Sequence, residues 1–354
     1  MQRLREAREK GSSGKARDLP KRIHSQERES QRWQLRRDGL SVSSIGRWLE
    51  CREQFRLRYA EGWRSTRTSA ALDFGELWHW LLGRQYQNRG KEKRIEKVLH
   101  FYDGVFKEEN PQASVRRVED LHLSIAKTAA LWPTYQRKYG KEDTARKWVD
   151  VEYAFDVEYD HWPLNFPIPL HGIFDGVFLE DSGKSVKPTK GLKRYWLFET
   201  KTKSRIDEFE IEDCMHLDLQ VMMYALCMRL EFGAWPKGVL YNVIRNPQST
   251  PSKKSGEDLP TFTERLTETI AKDEDHYFKR WKMKFKTEML EQWEEKFFQP
   301  LLLDIWNWVH GGPHYANPNA LVGKYGRSDM FGPITSGNFS DVYRKPLKKK
   351  EVER

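Results

Sequence analysis

The chain has 354 residues, 38% of them hydrophobic and 13% aromatic with 14 Trp, a core-rich globular composition; 32% charged residues and a mean hydropathy of -0.83 exclude a membrane-embedded protein. No apolar run reaches the length of a transmembrane helix, about 18 residues, and no leader-like segment opens the chain, so a cytoplasmic protein without a membrane partner is expected. The net charge of +10 sits in the tails, +6 over residues 1–38 and +4 over 343–354, and basic tails of this kind are either solvated ends or arms that attract a polyanion. Three cysteines (Cys51, Cys214, Cys227) without a C-x-x-C pair argue against a disulfide framework and suit a reducing compartment.

Residues 1–39 offer almost nothing apolar to bury and are expected to be a disordered basic tail. The segment 41–63 has Ser at its start and Ile45, Trp48, Leu49, Phe55 and Tyr59 at near-helical spacing, which predicts an amphipathic helix. Further helices are predicted at about 72–88 and 116–139. The period then changes to two: "KWVDVEYAFDVEY" (147–159), "LHGIFDGVFLE" (170–180) and "RYWLFETKTK" (194–203) predict three strands. A helix over 210–233, a fourth strand over 237–247 and a long charged helix over 262–310 follow. This order predicts an α/β fold, a central mixed β-sheet flanked by helices with helical additions at both ends. One domain is expected over 40–342, its core at about 70–247 and its C-terminal helical part at about 262–310, before a second basic tail at 343–354.

Charges inside buried strands need a partner or a task, because burial of an uncompensated charge costs several kcal/mol. If the strands carrying Asp175 and Glu199 pair antiparallel across the loop 181–193, both residues lie 12 positions from its midpoint at 187 and face one another. Directly opposed side chains have Cβ atoms about 5 Å apart. Two carboxylates that close repel unless one is protonated or a cation lies between them, and a hard divalent ion such as Mg²⁺ suits such a pair. Lys201 follows Glu199 by two and shares its face, where its amine can orient a water; Thr200 points away but offers its backbone carbonyl as a further ligand. A solvated edge strand with a cross-strand salt bridge would also account for E-x-K, although Trp196, Leu197 and Phe198 imply burial.

"GIFD" (172–175) followed by "ETK" (199–201) resembles the core of the PD-(D/E)xK nuclease superfamily, with the Pro of its name absent. Three more stretches resemble its RecB-like branch, in the expected order: the opening helix "SVSSIGRWLECREQFRLRY" (41–59), the G-x-x-x-H stretch "GELWH" (75–79) and the Q-x-x-x-Y stretch "QVMMY" (220–224). The resemblance implies a restriction-endonuclease-like fold and a DNA-hydrolysing enzyme, an exonuclease in DNA repair, recombination or phage DNA processing. It implies one or two Mg²⁺ or Mn²⁺ ions on His79, Asp175, Glu199 and the Thr200 carbonyl, with Asp175, Glu199, Lys201, Gln220 and Tyr224 as the catalytic set. Gln220 and Tyr224 would also face the nucleic acid, and Glu152 sits where relatives often carry an acid on the first strand.

Each residue has a plainer reading. His79 can be a helix histidine between Trp78 and Trp80, Gln220 and Tyr224 a buried amide with its hydroxyl partner, and Glu152 a strand residue paired with a lysine. His216, one turn before Gln220, would extend that stripe. Arg47 and Arg52, with Arg56 and Arg58, can hold a nucleic-acid backbone or form a solvated helix face.

Many RecB-like relatives bind an iron–sulfur cluster through four cysteines. Cys51 occupies the first position, but "NPNALVGKYGRSDMFGPI" (317–334) has none, so no cluster is expected and Cys51 becomes a small buried hydrophobe. Trp306, Trp308 and Tyr325 are then candidates for tying the C-terminal segment to the opening helix. The expected partner is DNA, single-stranded or at duplex ends, delivered by a helicase or recombinase; the alternatives are a non-catalytic nucleic-acid-binding module that keeps the fold and a scaffold whose carboxylates form structural salt bridges.

Overall fold

In a computed structural model of the protein, the described residues are 33–65, 70–87, 95–110, 113–160, 166–180, 194–312, 315–323 and 326–344. The basic tails lie almost entirely outside them, as do the 181–193 loop and Tyr325. In chain order the main elements are α1 (Val42–Glu50), β1 (Trp63–Ser65), α2 (Ala70–Gln87), α3 (Ile95–Glu109), α4 (Val115–Ala145), β2 (Lys147–Tyr159), β3 (Ile168–Leu179) and β4 (Tyr195–Lys203). They continue with α5 (Glu208–Cys214), α6 (Leu219–Phe232), β5 (Gly238–Arg245), α7 (Leu259–Lys272), β6 (Phe278–Lys284) and α8 (Gln299–Val309).

Three expectations need correction. The helix expected over 41–63 starts as read, on a reciprocal cap in which Ser41 and Ser44 each accept the other's backbone N–H, but it breaks at Cys51, which is extended at φ -162 and ψ 111. The helix expected over 210–233 is two, because Asp218 takes an extended conformation and caps α6 by accepting the N–H groups of Gln220 and Val221. His216 therefore sits on a separate exposed turn, and the stripe His216–Gln220–Tyr224 does not form. The long helix expected over 262–310 is interrupted by β6, which pairs antiparallel with β5 from Ile244↔Phe278 to Gly238↔Lys284. Helix α3 was not expected at all.

The five-stranded sheet has the order β2-β3-β4-β5-β6. The pairs β3–β4 and β5–β6 are antiparallel and β4–β5 is parallel, so the sheet is mixed, and α2 and α6 both pack on β4, which gives the helix-flanked α/β architecture expected. Strand β6 lies at the edge, and Lys279, Lys282 and Lys284 along it discourage pairing with a further strand.

The chain forms two compact units; among the described residues, 70–154 and 173–287 make up one, and 33–65, 155–172 and 288–344 the other. The core of the first joins Phe74, Trp78 and Leu81 of α2, Leu131 and Tyr135 of α4, Trp196 and Phe198 of β4, and Phe262, Leu266 and Ile270 of α7. In the second, polar contacts bind the C-terminal segment to the opening helical region. The Asn317 N–H points at the Cys51 sulfur at 3.3 Å and its side-chain amide donates to the Glu50 carbonyl at 2.9 Å. Gln54, fully buried, donates to the Ala320 carbonyl at 3.0 Å and accepts from Ser328 at 3.0 Å and Arg47 at 2.7 Å. Arg52 pairs with Asp304 at 2.6 Å and Arg58 with Asp329 at 2.9 Å, while Trp308 packs edge-on against Trp48 and Phe55. Of the aromatic ties expected, Trp308 serves; Trp306 packs on Phe166 instead.

Candidate active site

Gly75, His79 and Gly83 are spaced by four along α2 and form one face of it. A Cβ on Gly75 would come within 3.1 Å of the Thr202 hydroxyl, and one on Gly83 within 2.9 Å of the Glu152 side chain. The two glycines let this face of α2 lie close to Thr202 of β4 and Glu152 of β2, with His79 between the points of closest approach. Its Nδ1 lies 3.1 Å from Asp175 Oδ1.

Strands β3 and β4 pair from Leu179↔Tyr195 to Gly176↔Phe198, the register symmetric about 187, so Asp175 and Glu199 are the next residues along. There the Asp175 side chain takes over from the backbone: Oδ2 accepts the Thr200 N–H at 2.6 Å, leaving Oδ1 for His79. Glu152 adopts φ 54, the one described non-glycine residue with positive φ. That conformation costs about 1–2 kcal/mol and shifts the inward phase of β2, so that Val151 and Glu152 are both buried before the alternation resumes at Phe155. One ligand atom from each of His79, Glu152 and Asp175 lies within 4.8 Å of the others.

Glu199 is fully buried. Its Oε1 accepts from Lys201 Nζ at 2.6 Å, while Oε2 has no hydrogen-bond partner among the described residues. Lys201 also donates to Gln220 Oε1 at 2.5 Å. Gln220 is placed by the Asp218 cap in the first turn of α6, and the Asp218 carboxylate in turn receives the Tyr241 hydroxyl at 3.5 Å. The sequence reading missed Asp218, although D-x-Q at the start of an apolar helix carries the signal of a capping acid. Tyr224 is buried edge-on against Phe174, its hydroxyl meets the Ile173 backbone, and burial raises its pKa well above the usual range. It thereby holds β3 two residues before Asp175. Of the residues singled out from sequence, His79, Asp175, Glu199, Thr200, Lys201, Gln220 and Tyr224 thus lie together in the first unit, joined by Glu152. Arg47 and Arg52 belong to the second, where Glu50, Gln54 and Asp304 engage them.

The electrostatics follow from packing two acids and a histidine out of water. Burial pushes His79 down, but the Asp175 carboxylate, with Glu152 and Glu199, raises it to about 9. Burial pushes Asp175 up, but His79, Lys201 and the Thr200 N–H hold it below the usual carboxylate range. Burial, with the charge of Asp175 added, raises Glu199 to about 8 against the pull of Lys201. At neutral pH the metal-free cluster therefore carries protons on both His79 and Glu199. A cation would have to displace them, and the partnerless Glu199 Oε2 is an oxygen for which the protein itself provides no donor.

A pH prediction follows. A raised folded-state pKa means stability is lost as pH rises, from 4.5 to about 8 through Glu199 and from 6.5 to about 9 through His79. The melting temperature of the protein in chelator should fall between pH 6.5 and 9, and the increment produced by a divalent cation should grow over the same interval. Thermal denaturation with and without Mn²⁺ measures both, and an increment that shrinks as pH rises would contradict this proton count.

No helix of the described residues is long and apolar enough to cross a membrane. No curated protein matches the chain significantly. The family model described as the PD-(D/E)XK nuclease superfamily matches residues 39–302, most of the chain's length and the whole of the site just described. With the mixed sheet, the Asp175–Glu199 register and the Glu-Thr-Lys strand in place, the chain belongs to the PD-(D/E)XK nuclease superfamily.

Proposed function

We propose that this protein is a Mg²⁺- or Mn²⁺-dependent deoxyribonuclease of the RecB-like branch, an exonuclease acting at DNA ends during repair, recombination or phage DNA processing. The observation that carries the reading is the donor cluster of His79, Glu152 and Asp175 beside a buried Glu199 whose Oε2 lacks a partner. Carboxylate oxygens with a single imidazole suit Mg²⁺ and Mn²⁺ rather than a thiophilic ion. His79, Glu152, Asp175 and Glu199, with the Thr200 carbonyl, would hold one or two such ions. When bound, the ion supplies Lewis-acid neutralisation of charge gathering on the phosphate oxygens.

The chain's own residues do the rest. Lys201 is held charged by Glu199, once a cation has displaced that carboxyl's proton, and by Asp175 and Asp218, so its ammonium acts as a donor that fixes the attacking water and meets negative charge on the phosphate, not as a base. Gln220 Oε1 accepts from the same ammonium and restrains it. Asp175 keeps His79 oriented, and the Thr200 N–H keeps Asp175 oriented, so the cluster needs little rearrangement to act. Water adds to phosphorus as the bond to the leaving oxygen breaks, leaving one phosphate monoester and one hydroxyl end.

A time course on end-labelled linear DNA and covalently closed circular DNA with Mg²⁺ or Mn²⁺ tests this. Loss of the linear substrate with the circle spared is expected, and Lys201→Met should slow it at least about a hundredfold. Cleavage of the circle would replace the exonuclease reading with an endonuclease, and salt-sensitive binding without any cleavage would favour a non-catalytic module.

A further inference from the structure

Strand β4 continues past the Glu199–Lys201 pair to Lys203, which falls on the same face as Lys201, about 7 Å further along. The parallel register sets Lys203 directly beside Arg245, the last residue of β5. Like charges opposed across a ladder destabilise a sheet, yet neither side chain has a carboxylate partner among the described residues. Acids in the neighbourhood are already engaged. Asp207 pairs with Arg205 and Glu208 with Lys279; Glu274 and Asp275 are held by Arg137 and Lys138; Asp273 accepts the His276 N–H. The Arg245 guanidinium instead lies 3.2 Å from His276 Nδ1, an imidazole and not a carboxylate. Both cations are half-buried, so they are restrained but reachable.

We propose that Lys203 and Arg245 form a phosphate clamp for a single nucleic-acid strand, gripping the backbone about one nucleotide away from the phosphate at Lys201. The inference rests on the nuclease reading above and deepens it by naming a residue pair that holds the strand beside the site. A step of two residues along a strand is comparable with the step between successive phosphates of an extended single strand, and an anion between the two cations would turn their repulsion into a shared attraction. The clamp carries no base-reading group, so it binds without sequence preference.

The test is fluorescence anisotropy of a labelled single-stranded oligonucleotide on the full chain in chelator, across a salt series. Lys203→Gln with Arg245→Gln should weaken binding about 5- to 20-fold at low salt and reduce the slope of log affinity against log salt by about 0.7, the amount for the one shared phosphate that is no longer neutralised. A control pair on the exposed faces of α3 and α4, Lys97→Gln with Arg116→Gln, makes the same change in net charge and should leave the slope unchanged. Charge-preserving Lys203→Arg should bind like the wild type, and the melting temperature of the Gln pair should be equal or higher because a repulsion is removed. With Mg²⁺ the Gln pair should raise KM while sparing kcat. If wild type binds and cleaves while the clamp and control pairs behave alike, the clamp is wrong and the nuclease reading stands; if wild type neither binds nor cleaves, both fall.

Discussion

Asp175→Asn is expected to lower hydrolysis about 10³-fold, roughly 4 kcal/mol of transition-state stabilisation, while leaving the fold intact. The asparagine keeps the size of the side chain and an oxygen that can still accept the Thr200 N–H, so the junction where β3 leaves β4 survives. What disappears is the charge. Without it His79 loses its nearest carboxylate, at 3.1 Å, and the cluster of His79, Glu152 and Asp175 loses an anionic ligand. Titration calorimetry should show divalent-cation affinity reduced at least about tenfold. Glu199 should also ionise more readily, because the charge that opposed it has gone. A variant that melts like the wild type and still cleaves at full rate would remove Asp175 from the active site.

Arg280→Met should have the largest effect on stability, about 3–5 kcal/mol, because it strands a buried anion. Arg280 donates to Asp143 at 2.7 and 2.6 Å, to the Tyr135 hydroxyl at 2.7 Å and to the Asn242 side chain at 2.8 Å, and lies over the Tyr139 ring at 3.7 Å. Asp143 is 1% exposed, and beyond Arg280 it has the Tyr86 hydroxyl at 2.6 Å and the more distant Arg146 at 3.3 Å. Replacing both charges, as in Arg280→Met with Asp143→Leu, should recover much of the loss, since an apolar pair leaves no ion to desolvate. Urea denaturation of the wild type and the two variants checks the sign and size of the recovery. The network also reaches the site: Asn242 donates to the Thr200 hydroxyl at 3.3 Å, on the face of β4 opposite Glu199 and Lys201. Arg280→Met should therefore reduce cleavage beyond what its population of folded protein explains. If specific activity per folded molecule is unchanged, the network is purely structural.

The hairpin was the most legible part of the molecule. Strand β2 spans Lys147–Tyr159, as its alternation reads, and the symmetric register is the one formed. Both rest on local pattern and loop length, which a sequence states directly. The helical regions were less faithful. Cys51 and Asp218 each interrupt an apolar period that continues on both sides, and the period alone does not register a single extended residue. Strand β6 was hidden more deeply, because "FKRWKMK" combines good helix formers with flanking helices, and its strand state comes from pairing with β5. Glu152 was legible only through the family resemblance, since its left-handed backbone gives no sign in the sequence.

By itself, then, the sequence determined which residue types could carry the chemistry and in what order along the chain: an acid, then Glu-Thr-Lys, preceded by His79 and followed by Gln220. The acid and Glu-Thr-Lys follow from strand spacing, whereas His79 and Gln220 follow from the family resemblance. Only the tertiary structure decided that Asp175 binds Thr200 N–H and His79 at once, that Glu152 joins them, that Tyr224 is buried as a prop for β3, and that the Arg280 side chain is buried against Asp143. Each of those depends on groups brought together from distant positions in the chain, as Arg280 and Asp143 are, 137 residues apart, and on the cost of leaving either one unpaired in a medium without water.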